Sequence, residues 1–321
     1  MMQTRKLGYT DLYLTTVGLG TWAMGGGGWS FGWGPQDDAD SVAAVQRALE
    51  LGINWLDTAA VYGFGHSEEM VGEAIRGRRQ DVIVATKCGR RRDGDGNIRG
   101  NLTAPGIRWE CEESLRRLDV EVIDLYQIHW PDPDEQLEEG WGTIADLIRQ
   151  GKVRYAGASN FSVAQLERVQ SIHPVASLQP PYSMLRRAVE DELLAYCAAN
   201  DIGVIAYGPM GAGLLTGKFT RERVANLAED DWRTRNPMFN EPQLSANLAL
   251  VDKLRAIAER KGINLPQLAI AWVLRRPEVT SAIVGARRPD QLDETATAGE
   301  VTLSTEEVAE IEDLLKERER A

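Results

Sequence analysis

Three observations predict an α/β chain closed into a (β/α)8 TIM barrel. Short apolar runs, mostly rich in Val and Ile, recur eight times, as parallel strands buried on both faces require. Amphipathic stretches of helical period separate them, which is the signature of βαβ units. The first run leads into Gly20-Thr21-Trp22-Ala23-Met24, not the Gly-x-Gly-x-x-Gly that a doubly wound open sheet carries there.

Taken in order, residues 3–15 read as a hairpin ahead of the barrel, with Gly8 and Asp11 flanking its turn. The eight strands fall at 17–20, 53–56, 82–86, 122–128, 153–158, 175–178, 203–207 and 282–284. Between them, Val42, Val45, Ala48 and Leu49 share a helical face, as do Leu115 with Leu118 and Ile144, Leu147 with Ile148. Leu193, Leu194 and Cys197 form a further stripe, followed by Leu250, Leu254 and Ile257. The connection from Gly208 to about Pro242 is long enough to act as a lid over a barrel mouth. Ser304-x-x-Glu307 is a capping box opening a last helix with apolar Val308, Ile311 and Leu315. With no repeat and no linker, residues 1–321 read as a single barrel domain.

Composition narrows the function. The chain has 321 residues, 43% of them hydrophobic, and a formal net charge of −12, an ordinary globular profile. Such an acidic balance disfavours nucleic acid and anionic membranes as partners. Neither a membrane-spanning run nor a signal-peptide stretch is visible, so a cytoplasmic chain is expected. Cys88, Cys111 and Cys197 are widely spaced and suggest no disulfide framework. The histidines at 66, 129 and 173 have no metal spacing, and no metal is expected. Asp93-x-Asp95-x-Asn97 fails as a calcium loop, with Ile98 in place of Gly and Ala104 in place of Glu. Arg90-Arg91-Arg92 and His66 read as loop surface.

In a barrel the residues just beyond the strand ends meet the substrate. The second strand delivers Asp57 and Tyr62, the third Lys87, the fourth His129, the fifth Ser159 and Asn160, the sixth Gln179 and the seventh Tyr207. A lone Tyr or His there is usually structural. A Lys closing a buried strand needs a partner, and Asp57 on the neighbouring strand is the obvious one.

These residues lie in runs that resemble the aldo-keto reductase superfamily. They are Gly18 to Trp22, Leu56 to Ala59 with Tyr62-Gly63, Ser67-Glu68-Glu69, Ala85-Thr86-Lys87, Asp124 to His129, Ser159 to Ser162, Gln179 to Tyr182, and Gly211 to Lys218. The likeness spans nearly the whole chain in the family's order, and Gln127 to Pro133 is most similar to bacterial general stress-type NADPH-dependent members. It implies an enzyme, an alcohol dehydrogenase or carbonyl reductase, that moves hydride between NADPH and a small carbonyl compound.

Hydride reaching a carbonyl carbon leaves charge on oxygen, which must be held and protonated. Tyr62 is the expected acid. Lys87 is expected to lower the phenol's pKa, Asp57 to hold Lys87, and His129 to orient the carbonyl. By resemblance, Ser159, Asn160 and Gln179 hold the nicotinamide amide and Tyr207 stacks on its ring, with Thr21 and Trp22 also at the cofactor. Gly208, Pro209, Met210, Gly211, Gly213 and Lys218 resemble the pyrophosphate-covering loop. That run is not a P-loop, because Ala212 and Phe219 stand where Gly and Ser or Thr are needed. Gly285, Ala286, Arg287, Gln291 and Glu294 follow the last strand, where the resemblance places the adenosine 2′-phosphate. Thr295 departs from the Asn often found beside that Glu.

Trp22, Trp33 and Trp130, with Trp29, Phe31, Phe64 and Trp232 nearby, suggest an aromatic-lined substrate pocket. Two rivals stand beside the reductase. One is an NADPH-binding regulatory or redox-sensing subunit with little turnover, and the other a barrel hydrolase, which lacks a second rim carboxylate. Neither the physiological substrate nor the oligomeric state is legible.

Overall fold

A computed structural model describes residues 2–320. Strands β1 (Thr4–Lys6) and β2 (Tyr13–Thr15) pair as an antiparallel hairpin, and Gly8 takes a positive φ of 51° within its turn. The barrel strands are β3 (Val17–Gly20), β4 (Trp55–Asp57), β5 (Ile83–Cys88), β8 (Ile123–Ile128), β9 (Val153–Ser159), β10 (Ser177–Gln179), β11 (Gly203–Tyr207) and β12 (Val279–Gly285). All pair in parallel with sequence neighbours, and β12 closes on β3. The eight expected strands are therefore these eight, with ends shifted by a few residues. The remaining strands, β6 (Arg90–Arg92) and β7 (Ile98–Gly100), form a second hairpin that the sequence reading missed. Arg90–Arg92 is thus ladder, not free loop, and Asp93 caps its turn by accepting from the amides of Asp95 and Asn97 and pairing with Arg99. The residues of the supposed calcium loop are a tight turn.

Helices α1 (Asp38–Glu50), α2 (His66–Ala74), α3 (Ala104–Leu118), α4 (Leu137–Arg149), α5 (Val163–Gln170) and α6 (Leu193–Ala199) pack outside the strands. After β11 come α7 (Arg221–Ala225), α8 (Gln243–Lys261), α9 (Leu265–Leu274), α10 (Pro289–Thr295) and α11 (Thr305–Glu319). Six of these starts, those of α1, α3, α5, α7, α9 and α11, are set by side chains that accept otherwise unpaired amides. Ser162, Asn264 and Ser304 each form a capping box, the last as expected. His66 opens α2 and is bound to Asp38 at 2.7 Å, so it is a helix terminus and not loop surface. The connection over 208–242 is long, as expected, but short helical turns occupy much of it.

Strand alternation sorts side chains into two populations. One set packs against the helices in the main apolar core. The other fills the barrel, where Trp55, Ala85, Leu125, Ile205 and Ile283 meet Leu7, Leu12 and Leu14 of the hairpin. The hairpin thus plugs one end. Gly18 is required there, because a Cβ would sit 2.0 Å from the Trp55 ring, whose indole N–H donates to Thr15 O and Ser281 Oγ at 3.1 Å. The same alternation, continued to the other end of the strands, turns Asp57, Lys87, Gln127, Ser159, Gln179 and Tyr207 into the mouth.

Candidate active site

Lys87 ends an apolar strand and is 1% exposed. A buried ammonium needs acceptors, and it has three. It donates to Asp57 Oδ2 at 2.6 Å, to Thr58 O at 2.9 Å and to the Tyr62 hydroxyl at 3.2 Å. Asp57 is held in turn by the amide NH2 groups of Gln179 at 2.8 Å and Gln127 at 3.3 Å. Behind β5, the buried Glu68 accepts from Thr86 Oγ1 at 2.6 Å and from Arg117 at 2.7 Å, fixing the strand that carries Lys87. Gln127 was missed in the sequence, although it lies two places before His129 and so must share its inward face.

Tyr62 is 8% exposed. Burial, and then the charge of Asp57, push its phenol well above the ordinary value. This overturns the expected acidification. Asp57 answers the ammonium at 2.6 Å, so the phenol meets a neutralised pair inside a dry pocket. Burial likewise lowers Lys87, with Asp57 opposing that shift. His129 faces Tyr62 edge-on at 5.7 Å between ring centres. Burial and the cations Lys87 and Arg90 hold it well below the usual imidazole range, leaving a neutral ring at pH 7.

Beside this group, Ser159 donates to Gln179 O, and the Asn160 amide donates to Ser159 Oγ and His129 O, each at 3.0 Å. The Tyr207 hydroxyl donates to Asn160 Oδ1 at 3.0 Å, which pins its ring. Thr21 is fully buried, and its hydroxyl donates to Asp57 O while accepting from Ser67. It therefore supports the site and offers no surface to a cofactor, contrary to expectation.

A track of accessible residues runs from Asn160 and Tyr207 over Gly208 and Met210 to Gly285, Arg287, Gln291 and Glu294. Pro209, Gly211 and Ala286 lie buried beneath it. A Cβ at Gly208 would meet no atom within 4 Å, and at Gly285 only Gly20 O at 3.9 Å. Gly208, Gly211, Ala212 and Gly213 all take positive φ, a turn that glycine makes easily. Short polar side chains, an open glycine-lined backbone and a terminal arginine are the donor set a nicotinamide dinucleotide fits.

At the far end, Lys218 does not point freely at a phosphate. It is paired with Glu294 at 2.6 Å, tying the covering loop to α10. The Arg287 guanidinium donates to Gln36 Oε1 at 2.6 Å, to Trp33 O at 3.2 Å and to Pro35 O, all neutral acceptors, so its charge has no carboxylate among them. Gln291 Oε1 accepts from the Arg287 amide.

Over Tyr62 the tryptophans form a roof. Trp22 stacks on Tyr62 at 6.2 Å, and Trp232 from the long connection stacks on Trp22 at 5.1 Å. Trp33 meets both edge-on, at 5.2 and 5.5 Å. Trp130 stands apart, 43% exposed and facing Arg90 at 6.0 Å. Two of the three tryptophans expected at the substrate therefore join the stack over Tyr62, and the third, next to His129, stands exposed at the rim.

Among the described residues no helix is long and apolar enough to cross a membrane, and no three His, Cys, Asp or Glu side chains group as a metal site. The profile of the family described as "Aldo/keto reductase family" matches residues 16–316. Aldo-keto reductase YhdN of Bacillus subtilis (strain 168) is 37% identical over 98% of this chain and 94% of its own length. The NADH-specific methylglyoxal reductase of Escherichia coli (strain K12) is 33% identical over 99% and 100%. Among solved structures, the glycerol dehydrogenase AKR11B4 from Gluconobacter oxydans superposes with a TM-score of 0.89 at 38% identity, covering 98% of this chain and 95% of that one. The aldo-keto reductase AKR11C1 from Bacillus halodurans, in its holo form, gives 0.80 at 28%, over 98% and 96%. With the barrel, the mouth and these likenesses in agreement, the chain belongs to the aldo/keto reductase family of oxidoreductases.

Proposed function

We propose that this single-barrel protein reduces the carbonyl group of small aldehydes or ketones at the expense of NADPH, with Tyr62 as proton donor. The observation that carries the reading is Lys87 bridging Asp57 and the Tyr62 oxygen inside the mouth. Because the ammonium donates to that oxygen, the phenol's own hydrogen is directed elsewhere, toward a carbonyl above it. A bound nicotinamide supplies the hydride. Tyr62 gives up its proton to the carbonyl oxygen, and Lys87 then faces the phenolate and stabilises it. Neutral His129 donates a hydrogen bond to the same oxygen and sets its direction. Asn160 and Gln179 would hold the amide of a nicotinamide, Tyr207 would lie against its ring, and the glycines at 208–213 would let backbone amides approach the pyrophosphate. The roof of Trp22, Trp33 and Trp232 excludes water from the reacting atoms.

NADPH is preferred to NADH through Arg287, whose hydrogen bonds all go to neutral acceptors, so a 2′-phosphate exchanges weak bonds for a charge-assisted one. The test is cofactor oxidation against a panel of aldehydes and ketones with each cofactor in turn. Multiple turnovers support the reading. A single slow turnover with retained cofactor would overturn it in favour of a sensor. Arg287→Ala is expected to raise the KM for NADPH about tenfold and that for NADH about twofold or less, and equal effects on both would remove Arg287 from the 2′-phosphate site.

A further inference from the structure

Beside the roof lies a cavity of about 330 Å³ that the chemistry above does not use. Its walls come from four separated parts of the chain: Trp29 in the first connection, Phe64 after Tyr62, Arg92 and Gly96 of the β6–β7 hairpin, and Asp230 with Arg235 of the long connection. The Trp29 ring reaches from this cavity to the phenol, 6.2 Å from the Phe64 ring and 6.3 Å from the Tyr62 ring. Phe64 holds a left-handed φ of 56°, so the backbone turns sharply after Tyr62 and sets the ring outward at the cavity wall.

Arginines across the molecule are commonly matched to carboxylates, as Arg90 is to Asp132, Arg99 to Asp93 and Arg233 to Asp231. Arg92 and Arg235 make no such pair among the described residues. Arg92 is positioned by stacking instead: its guanidinium lies 4.9 Å over the Phe64 ring, and a Cβ on Gly96 would come within 3.3 Å of its Nη2. Stacking leaves the edge N–H groups of a guanidinium free. Arg235 donates through Nη2 to Ser30 O. The one acid in the cavity, Asp230, already accepts from the Gly28 amide at 3.3 Å. Two cations therefore face one engaged carboxylate, on a chain whose net charge is −12.

We propose that this cavity binds the carboxylate of an acidic carbonyl substrate, with Arg92 and Arg235 as its specificity-determining residues and the reacting carbonyl passing Trp29 to reach Tyr62. This rests on the reductase reading for its substrate and deepens it by naming the class: aldehydes or ketones that carry an anionic group some way from the carbonyl. Two guanidiniums, one pre-set by Phe64, suit a planar carboxylate accepting two parallel bonds.

The test compares 4-carboxybenzaldehyde with benzaldehyde in the intact protein, the Arg92→Gln and Arg235→Gln variants and the double variant. Calorimetric titration with 4-carboxybenzoate follows in the same proteins. In the parent, kcat/KM for the acidic aldehyde exceeds that for the neutral one, and salt narrows the difference. Each variant is expected to cut that ratio about tenfold, mainly through KM, and to weaken carboxybenzoate binding in parallel. A ratio that stays within twofold of the parent in the double variant overturns the proposal, as does carboxybenzoate binding that the double variant leaves intact. If neither aldehyde is reduced by the parent, the reductase reading fails on its own. The titration then still decides the site, because arginine-dependent, salt-sensitive binding supports it and its absence overturns it.

Discussion

At the scale of single residues, the chemistry turns on how an ammonium, a carboxylate and a phenol share one dry pocket. Burial, and then the charge of Asp57, push the Tyr62 phenol up. A phenol in that state suits the proton-donor role proposed for it. The rate of reduction is expected to stay flat from about pH 6 to about pH 9, since the donor remains protonated below the ordinary phenolic value of about 10. A tenfold fall across that window, read as kcat against pH, would contradict the assignment. Tyr62→Phe keeps the ring that Trp22 covers and removes only the hydroxyl. It is expected to lower kcat by at least a hundredfold while calorimetry shows NADPH still bound. The four residues Asp57, Tyr62, Lys87 and His129 were legible because strand ends in a barrel converge. The sign of the phenol's shift was not, because it depends on 2.6 Å between two other groups and on burial, neither of which is written in spacing. Thr21 illustrates the same limit: a polar residue at a strand end reads as a contact until its partners, here Asp57 O and Ser67, are known.

At the scale of elements, the long connection does more than link β11 to α8. It is fastened to the first connection at Trp232 N to Gly32 O, at Asp230 to the Gly28 amide and at Arg235 to Ser30 O, and to α10 through Lys218 and Glu294. Beside these polar ties, Trp232 packs on Trp22 and Trp33, and Leu214, Phe219, Met238 and Phe239 form an apolar cluster with Leu244 of α8. Trp232→Ala removes the outer ring of the stack while leaving those backbone ties in place. The ratio of kcat/KM for 2-naphthaldehyde over acetaldehyde is expected to rise several-fold, and steady-state kinetics with both checks it. An unchanged ratio would show that the roof does not select for size. The length of this connection predicted a lid, but its partners could not be read, since they lie some 200 residues away and are largely backbone atoms. The β6–β7 hairpin escaped notice for a related reason: three consecutive arginines resemble solvated surface until one of them stacks on Trp109 and another on Phe64.

At the scale of the whole molecule, the eight-strand pattern was legible because most barrel strands are apolar runs buried on both faces. The interior polar groups behind the mouth were not. Glu110 on α3 is 1% exposed, with Oε2 accepting from the Gly89 amide and Oε1 without a partner, close under the strand that bears Lys87. Burial lifts its pKa to about 8. An unfolded chain ionises this carboxyl near the ordinary value of about 4.3. Between the two values the unfolded chain has lost the proton and the native chain keeps it, so rising pH favours unfolding, by about 1.4 kcal/mol per unit. The loss stops above the folded value. Urea unfolding at a series of pH values is expected to show this slope between about pH 5 and about pH 8, and Glu110→Gln is expected to flatten it and to be the more stable protein at the upper end. A slope unchanged in the variant would assign it to other groups. The hairpin of β1 and β2 carries a last consequence. With Leu7, Leu12 and Leu14 seated among the inner strand residues, the barrel is a blind-ended cup. A ligand at the mouth therefore has no route along the barrel axis and must enter and leave on the rim side.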